Sequence, residues 1–181
     1  DLDRDRLKEK AKNSPGLIGR DLVKEVTCQK PYKWNQSDDP GLSTHRPPAS
    51  PTESAWRVVV LDFGVKYNIL RILRGLGCDV TVVPCTHSDQ QILGLDPDGV
   101  LFSPGPGDPA LLGHIVETVR KLAGVKPLMG ICLGEQLIGR AFGARTFKLK
   151  FGHRGGNHPV RDVRTGRVYI AAQNHGYAVD P

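Results

Sequence analysis

From Trp56 onward the chain alternates short β-branched runs with amphipathic segments, and this order restricts the fold more than any other feature. Four apolar runs predict strands, at residues 56–63, 79–84, 98–103 and 126–131. Four segments with apolar residues at helical spacing predict helices, at residues 66–77, 88–95, 108–124 and 135–143. Strands that alternate with helices form parallel sheets with right-handed crossovers. The sequence therefore predicts an α/β fold, a doubly wound and mostly parallel sheet with helices on both faces.

The rest of the chain predicts three further segments. Residues 1–34 carry charges at helical spacing, then a turn, then apolar residues from Leu17 to Val23 that would bury one face of a short helix. Residues 35–55 contain four prolines and few large apolar side chains, which is typical of a linker. Residues 145–179 combine strand-like runs with glycine-rich turns and predict short strands in an antiparallel extension. We therefore place domain boundaries at 1–34, 35–55 and 56–181.

Composition excludes several classes of protein. No apolar run approaches the ~18–20 residues of a membrane span, so we expect no membrane association and a cytoplasmic location. The four cysteines lack CxxC spacing, which predicts neither a zinc site nor a disulfide framework. The net charge is +6. Its excess lies in residues 140–167, a basic block in which Asp162 is the sole acidic residue.

The segment Gly130-Ile131-Cys132-Leu133-Gly134 joins an apolar run to a predicted helix. A nucleophile flanked by glycines at such a junction is typical of a nucleophile elbow, in which a sharp turn presents the side chain at the carboxyl end of the sheet. The amino end of the following helix is expected to lower the pKa of the Cys132 thiol. Cys28, Cys78 and Cys85 lack these neighbours, and we interpret them as structural.

A second glycine-rich turn, Ser103-Pro104-Gly105-Pro106-Gly107-Asp108-Pro109, follows the third predicted strand. Its glycines expose backbone N–H groups that can stabilise an oxyanion, with the Leu133 N–H as a second donor. Alone, such a turn is an ordinary connection between a strand and a helix. Next to the elbow it indicates a site for attack on a carbonyl group.

These motifs resemble the class I, or triad, glutamine amidotransferases, which have a flavodoxin-like fold. The resemblance rests on GICLG with Gln136 behind it, on SPGPGDP and on AAQNHGYAVD. More narrowly, PGLIGRDLVKEV, LDFGVKYNILRIL, KLKFGHRGGNHPV and QNHGYAVD resemble the small, glutamine-hydrolysing subunits of carbamoyl phosphate synthetases. Other amidotransferases share the elbow but not the segment from Phe147 to Val160, which therefore carries the narrower assignment.

The resemblance implies a reaction and a set of residues. Cys132 would attack the side-chain amide of glutamine, release ammonia and form a thioester that water hydrolyses. The glutamine-binding positions of the family correspond to Gly105, Gly107, Leu133, Gln136, Asn174, Gly176 and Tyr177. Ammonia would pass to a large subunit that binds ATP and Mg²⁺, because nothing in this chain resembles an ATP site. We expect no metal and no cofactor in the chain itself, and a role in arginine or pyrimidine biosynthesis.

Two departures from the family pattern remain. The family's base and orienting carboxylate form a His-x-Glu pair near the C-terminus, and the chain ends at Pro181 without one. We therefore expect a missing C-terminal portion, and residues 1–34 to be the end of the small subunit's N-terminal domain. The second departure is Glu135, where the family usually has His or Asn. Its carboxylate either raises the thiol pKa or pairs with a partner, and the sequence does not decide between these.

Three alternative functions are also compatible with parts of the sequence. One is the amidotransferase of another synthase, such as those that make GMP or anthranilate, against which the 147–160 segment speaks. Another is a non-catalytic interaction module that keeps the fold, which Glu135 favours and Cys132 opposes. The third is nucleic-acid binding through the basic block, which lacks interleaved aromatic residues and any recognised motif. We interpret the basic block as a surface that docks a protein partner.

Overall fold

Five strands form the central sheet, in the spatial order β1-β3-β2-β4-β5. The computed structural model describes residues 3–16, 19–35 and 56–180. The strands are β1 (Tyr32–Lys33), β2 (Arg57–Asp62), β3 (Asp79–Pro84), β4 (Gly99–Phe102) and β5 (Leu128–Gly130). Strands β2 to β5 run parallel, and β1 adds to β3 antiparallel. The four parallel strands thus lie in the order 2-1-3-4 of their sequence, a doubly wound arrangement that confirms the predicted fold class.

In the described part of the chain, six α-helices accompany the sheet. They are α1 (Arg4–Lys12), α2 (Val23–Val26), α3 (Tyr67–Gly75), α4 (Asp89–Leu93), α5 (Gly113–Leu122) and α6 (Leu133–Ala141). Helix α3 covers one face of the sheet, and α4, α5 and α6 cover the other. None of the helices in the described residues is long and apolar enough to cross a membrane.

Alternate residues of each central strand feed two separate cores. In β2, Val59 and Leu61 point into the core beneath α4, α5 and α6, whereas Val60 points into the core beneath α3. All three side chains are buried. Because side chains of a strand alternate between faces, a strand covered on both sides must be apolar throughout. This requirement explains the continuous β-branched runs.

The predicted helix at 108–124 is wrong at its start. Residues Pro109–Leu111 form a single 3-10 turn, and the α-helix begins only at Gly113. Asp108 caps the turn, since its side chain accepts a hydrogen bond from the Ala110 backbone N–H at 2.9 Å. Proline at the first position of the turn has no N–H to donate and is well suited to it. The apolar spacing of α5 continues into this turn, which is why the sequence pattern did not separate the two.

A long antiparallel hairpin follows α6. Its strands are β6 (Thr146–Arg161) and β7 (Val168–Val179), which confirms the antiparallel extension but replaces short strands with two long ones. The pairing register shifts twice, between Lys148 and His153 and between Gly155 and His158. Such bulges bend a strand and re-aim its side chains. Residues 173–177 of β7 are thereby brought next to the start of α6.

The amino-terminal segment joins the main sheet. Besides pairing through β1, it buries Leu22, Val23 and Trp34. Helix α2, where the second short helix was predicted, covers Val23–Val26 and is shorter than expected, and Leu17 and Ile18 lie outside the described residues. Most of the predicted linker, 36–55, also lies outside them. The pairing of Tyr32 and Lys33 was missed, because two residues give no periodicity to detect.

Candidate active site

Cys132 lies at a sharp turn between β5 and α6, at the carboxyl end of the sheet. Its backbone has φ 54° and ψ −108°, a conformation that a residue with a side chain rarely adopts. The turn is fixed by hydrogen bonds from the Ile131 N–H to the Phe102 carbonyl at 3.1 Å and from the Gly134 N–H to the Ile131 carbonyl at 3.0 Å. The structure therefore has the strained geometry of the predicted nucleophile elbow.

The two glycines around Cys132 leave no room for a side chain. A Cβ atom on Gly130 would lie 2.4 Å from the Glu135 backbone nitrogen. A Cβ atom on Gly134 would lie 2.1 Å from the Phe102 carbonyl oxygen. Both distances are far below any real contact of a Cβ atom, so the turn depends on glycine at each position. The spacing of glycines in the sequence thus has a direct steric cause.

The glycine-rich loop after β4 lies directly against the elbow. A Cβ atom on Gly105 would lie 2.3 Å from the Phe63 carbonyl oxygen and 2.9 Å from Leu133 Cδ2. Ser103, fully buried, supports the loop: its hydroxyl accepts from the Phe63 N–H at 2.8 Å and donates to the Pro104 carbonyl at 3.0 Å. The loop backbone therefore sits beside Leu133, the residue that follows the nucleophile. Gly107 lies in the same loop with φ +99°, next to the backbone of Arg20.

Strand β7 closes the other side of the site. The thiol of Cys132 donates to the Asn174 carbonyl oxygen, with 3.9 Å between sulfur and oxygen. Gln136, buried on α6, donates from Nε2 to the Tyr177 carbonyl at 2.8 Å. The Tyr177 hydroxyl in turn donates to the Asp108 carboxylate of the glycine-rich loop. The structure thus brings six of the eight residues singled out from the sequence together at one turn: Cys132, Gly105, Leu133, Gln136, Asn174 and Tyr177. Gly176 lies between Asn174 and Tyr177 on β7, whereas Gly107 contacts the backbone of Arg20 and Leu22 instead of the turn.

The expected lowering of the Cys132 pKa is wrong. Burial of the thiol raises its pKa, and this outweighs the hydrogen bond from the Leu133 N–H and the positive charge of Lys66, which lower it. The Glu135 carboxylate makes a smaller contribution in the raising direction. The amino end of a helix lowers the pKa of a thiol only where its electrostatic effect exceeds the desolvation that raises the pKa. The sequence predicts the helix but not the burial of the thiol.

Glu135 lies at the exposed start of α6. Partial desolvation raises the pKa of its carboxyl group, and the charge of His175 opposes that shift. The ring nitrogens of His175 are engaged with backbone and side-chain oxygens: Nδ1 is 2.7 Å from the Tyr177 carbonyl and Nε2 is 2.8 Å from Gln173 Oε1. Glu135 thus disfavours the Cys132 thiolate through its charge and is itself influenced by His175.

Sequence reasoning missed two residues of the site. Lys66 follows β2 and acts on the Cys132 thiol through its charge. Asp108 belongs to the glycine-rich loop and contacts Tyr177. Asp108 belongs to the glycine-rich motif at residues 103–109, and an aspartate directly before a proline is a signal for a cap that the sequence did contain. Lys66 had no signal of this kind, because its proximity comes from the order of the strands.

The other three cysteines lie in or beside the core. Burial raises the pKa of Cys78 and Cys85, and burial together with Asp62 raises the pKa of Cys28 to about 11. Cys28 lines a cavity of about 320 Å³ with Tyr32, Asp62 and Tyr67, and Cys132 does not line it. These thiols stay protonated at neutral pH. Within the described ranges, no group of three or more His, Cys, Asp or Glu residues has the arrangement of a metal site.

Comparisons with solved structures agree with this architecture. A putative GMP synthase protein from Thermoplasma acidophilum is 25% identical, with a TM-score of 0.59 over 71% of this chain and 68% of that one. A glutamine amidotransferase from Thermotoga maritima is 17% identical, with a TM-score of 0.54 over 69% of this chain and 62% of that one. At that identity the second likeness shows the fold alone.

Comparisons of sequence are more specific. A carbamoyl phosphate synthase small chain, chloroplastic, from Oryza sativa subsp. japonica is 52% identical over 98% of this chain and 39% of its own length. The carbamoyl phosphate synthase small chain of Syntrophotalea carbinolica is 50% identical over 99% of this chain and 47% of its own length. This chain therefore spans less than half the length of either relative. Residues 59–181 match the family model of glutamine amidotransferase class-I, so the chain belongs to that family.

Proposed function

We propose that this chain is part of the glutamine-hydrolysing small subunit of a carbamoyl phosphate synthase, with Cys132 as its nucleophile. The observation that carries the proposal is the strained turn that holds Cys132 beside the glycine-rich loop. We name carbamoyl phosphate synthase, and not another synthase, because the relatives that are about 50% identical are small chains of that enzyme.

The reaction begins at the Cys132 sulfur. As the thiolate, it attacks the side-chain amide carbon of glutamine, a C–S bond forms and the carbonyl electron pair moves to oxygen. Backbone N–H groups of Leu133 and of the Gly105 loop are positioned to stabilise that oxyanion. When the pair returns, the C–N bond breaks and the nitrogen leaves as ammonia after taking a proton. Water then adds to the thioester, which releases glutamate and restores the thiol.

Hydrogen bonds fix which way two side-chain amides point, and the groups they leave free match the two charged ends of glutamine. The Tyr177 carbonyl only accepts, so Gln136 must turn Nε2 toward it and keep Oε1 for a donor such as the α-ammonium group. The Arg154 guanidinium only donates, so Asn174 must turn Oδ1 toward it and keep Nδ2 for an acceptor such as the α-carboxylate. The site therefore presents an acceptor and a donor, as a zwitterionic amino acid requires.

The general base is not supplied by the histidines of the hairpin. His175 is held by Tyr177 and Gln173, and His153 Nδ1 lies 3.3 Å from His175 Nε2. His158 stacks against the His153 ring, with 5.7 Å between ring centroids. All three lie along β6 and β7 and face each other. A His-x-Glu pair elsewhere in the intact protein is therefore part of this proposal.

Ammonia made at this site would be used by a large subunit that binds ATP and Mg²⁺. The hairpin formed by β6 and β7 is the surface we propose for that contact. It exposes Phe151, whose ring centroid lies 5.2 Å from Lys150 Nζ, and Ile170, which pairs near the Arg161 end of the hairpin; their exposed fractions are 82% and 68%. Apolar side chains set among charges of one sign favour a protein partner with an acidic rim.

The test is glutamine hydrolysis by the intact protein and by its Cys132→Ser variant. We expect glutamate release in the first and its loss in the second, because a serine hydroxyl is a far weaker nucleophile than a cysteine thiolate in a site shaped for the thiol. Cys78→Ser is the matched control, since Cys78 directly precedes β3 at the amino end of the sheet, whereas Cys132 lies at the carboxyl end. Unchanged hydrolysis in Cys132→Ser would exclude the proposed nucleophile.

The synthase is tested by supplying the intact protein with glutamine, ATP and each candidate partner. Carbamoyl phosphate formed from glutamine with a carbamoyl phosphate synthase large subunit would support the assignment. GMP formed with a GMP synthetase partner would assign the chain to that synthase instead. If the protein binds a partner but Cys132 fails to react with a diazo-ketone analogue of glutamine, the chain is an interaction module without catalysis.

A further inference from the structure

Arg154 is the residue of the basic block that reaches into the candidate site. It lies on β6 directly across from Asn174 on β7. Its Nη1 donates to Asn174 Oδ1 at 2.8 Å. A Cβ atom on Gly176 would lie 3.7 Å from Arg154 Nη2, so the guanidinium group of Arg154 extends over the segment from Asn174 to Gly176. The Asn174 carbonyl in turn accepts from the Cys132 thiol. One residue therefore separates the guanidinium from the nucleophile.

The backbone around Arg154 holds this orientation. The register of the hairpin shifts on each side of the Arg154–Asn174 pair. Gly152 and Gly155 have φ values of +75° and +145°, which residues with side chains rarely adopt. A Cβ atom on Gly152 would also lie 2.7 Å from the His175 carbonyl oxygen. Two irregularities that bracket one cross-strand pair serve to aim its side chains.

The charge of Arg154 is not neutralised by the described part of the chain, in which no carboxylate forms an ion pair with it within 4.0 Å. Arg145, in the same basic block, does pair with Asp180 at 3.1 Å. A guanidinium group has five N–H donors, and the bond to Asn174 uses one of them. The remaining donors and the full positive charge suit a carboxylate, which guanidinium groups bind in a planar, bidentate manner.

We propose that Arg154 determines the selectivity of this site for a substrate with a free α-carboxylate. It does so in two ways: its bond to Oδ1 turns the Asn174 amide nitrogen toward the substrate, and its charge attracts the carboxylate. This inference rests on the proposed function, because it takes glutamine as the substrate. Arg154 is thus a specificity-determining and positioning residue, and Cys132 performs the chemistry.

The experiment compares two electrophiles on the intact protein and measures the labelling rate of Cys132 by mass spectrometry. The first is the diazo-ketone analogue of glutamine with its free carboxylate, and the second is the methyl ester of the same analogue. Iodoacetamide, which carries neither end of the amino acid, reports the reactivity of the thiol itself. The variants are Arg154→Gln and Arg154→Lys. Arg57→Gln is the control, an exposed arginine at the start of β2 and so at the amino end of the sheet, opposite the end that carries Cys132.

We expect Arg154→Gln to slow labelling by the free-carboxylate analogue about tenfold or more, since charge-assisted hydrogen bonds are the strong ones. Labelling of Arg154→Gln by the ester and by iodoacetamide should differ from the wild-type rate by less than about twofold, because neither reagent carries a carboxylate for Arg154 to bind. Arg154→Lys should recover part of the loss, because the charge remains while the planar fork is gone. Arg57→Gln should behave as the wild type.

Three results overturn the inference, and they are distinguishable. If Arg154→Gln keeps the wild-type preference for the free carboxylate over the ester, Arg154 does not determine it. If all three reagents slow equally, the substitution has damaged the turn rather than a carboxylate site. If the wild type reacts with iodoacetamide but not with the diazo-ketone, the proposed function fails and this inference fails with it.

Discussion

Cys132 occupies a backbone conformation that its side chain disfavours, and its neighbours hold it there. Conformations of this kind cost about 1–3 kcal/mol each and persist where the surroundings over-determine them. Here the surroundings are two glycines without space for a Cβ atom and the carbonyl of Phe102. The same turn places the sulfur beside the Leu133 N–H. Strain at this residue is thus linked to the chemistry that the residue is proposed to perform.

The Gly134→Ala substitution tests this steric requirement. Its Cβ atom would meet the Phe102 carbonyl at 2.1 Å, so we expect a loss of about 1–3 kcal/mol or more in the free energy of unfolding and slower alkylation of Cys132. Gly113→Ala is the control, because nothing lies within 4 Å of its Cβ position at the start of α5. That variant should be neutral or slightly more stable. Denaturant unfolding measures both, and equal effects would contradict the steric argument.

The Glu135→Gln substitution tests the electrostatics of the thiol. The carboxylate disfavours the nearby thiolate, so its removal should lower the pKa of Cys132 and shift the pH profile of iodoacetamide labelling toward lower pH. The shift should be small, since burial is the larger cause and remains. The pKa of Cys132 should therefore stay above the ordinary value of a cysteine thiol in both proteins. Glu117→Gln, on the exposed face of α5, should leave the profile unchanged, and a shift toward higher pH in Glu135→Gln would contradict the sign.

At the scale of elements, the sequence predicts what local periodicity controls. The four central strands and their helices follow from β-branched runs and apolar spacing, and Ser88 begins α4 with a complete capping box, as its position predicts. The elbow at Cys132 also follows, because its glycines are adjacent in sequence. The 3-10 turn at Pro109, strand β1 and the charge of Lys66 at the thiol do not follow. Each depends on contacts between residues far apart in the chain.

The two capped helices α1 and α4 should respond differently to loss of the cap. Ser88→Ala removes the acceptor of the Gln91 N–H, and we expect a loss of about 1 kcal/mol in the free energy of unfolding, because α4 buries Ile92 in the core. Asp3→Ala removes the cap of α1, which buries no residue. Its unfolding midpoint should therefore stay unchanged while some helical circular dichroism is lost. Equal midpoint shifts would show that α1 is part of the cooperative fold.

At the scale of the whole molecule, the amino-terminal segment and the sheet form one cooperative unit. The Cys28 N–H donates to the Asp62 carboxylate at 2.8 Å, and the Cys85 N–H donates to the Thr27 hydroxyl at 2.9 Å. The Trp34 N–H donates to the Val80 carbonyl at 2.9 Å. Buried polar groups paired in this way keep the segment on the sheet. The described residues before 36 therefore contribute to the stability of the domain that carries the site.

The two tryptophans provide a matched test of this cooperation. Trp34 is 5% exposed and packs on Tyr67 with 5.1 Å between ring centroids, whereas Trp56 is 69% exposed. We expect Trp34→Ala to lower the free energy of unfolding by about 3–5 kcal/mol and Trp56→Ala by less than about 1 kcal/mol. Fluorescence of the remaining tryptophan and circular dichroism should report the same transition in each variant. A second transition in Trp56→Ala would show that the segment around Trp34 unfolds separately.

The Phe102 carbonyl is shared between the two halves of the candidate site. It accepts the Ile131 N–H and touches Gly134 of the elbow, and the next residue, Ser103, begins the glycine-rich loop. The elbow and the loop are therefore mounted on the same strand end. Because both halves are anchored at this strand end, we expect a displacement of β4 to move them together and to leave the distance between the Cys132 sulfur and the backbone of the loop nearly unchanged.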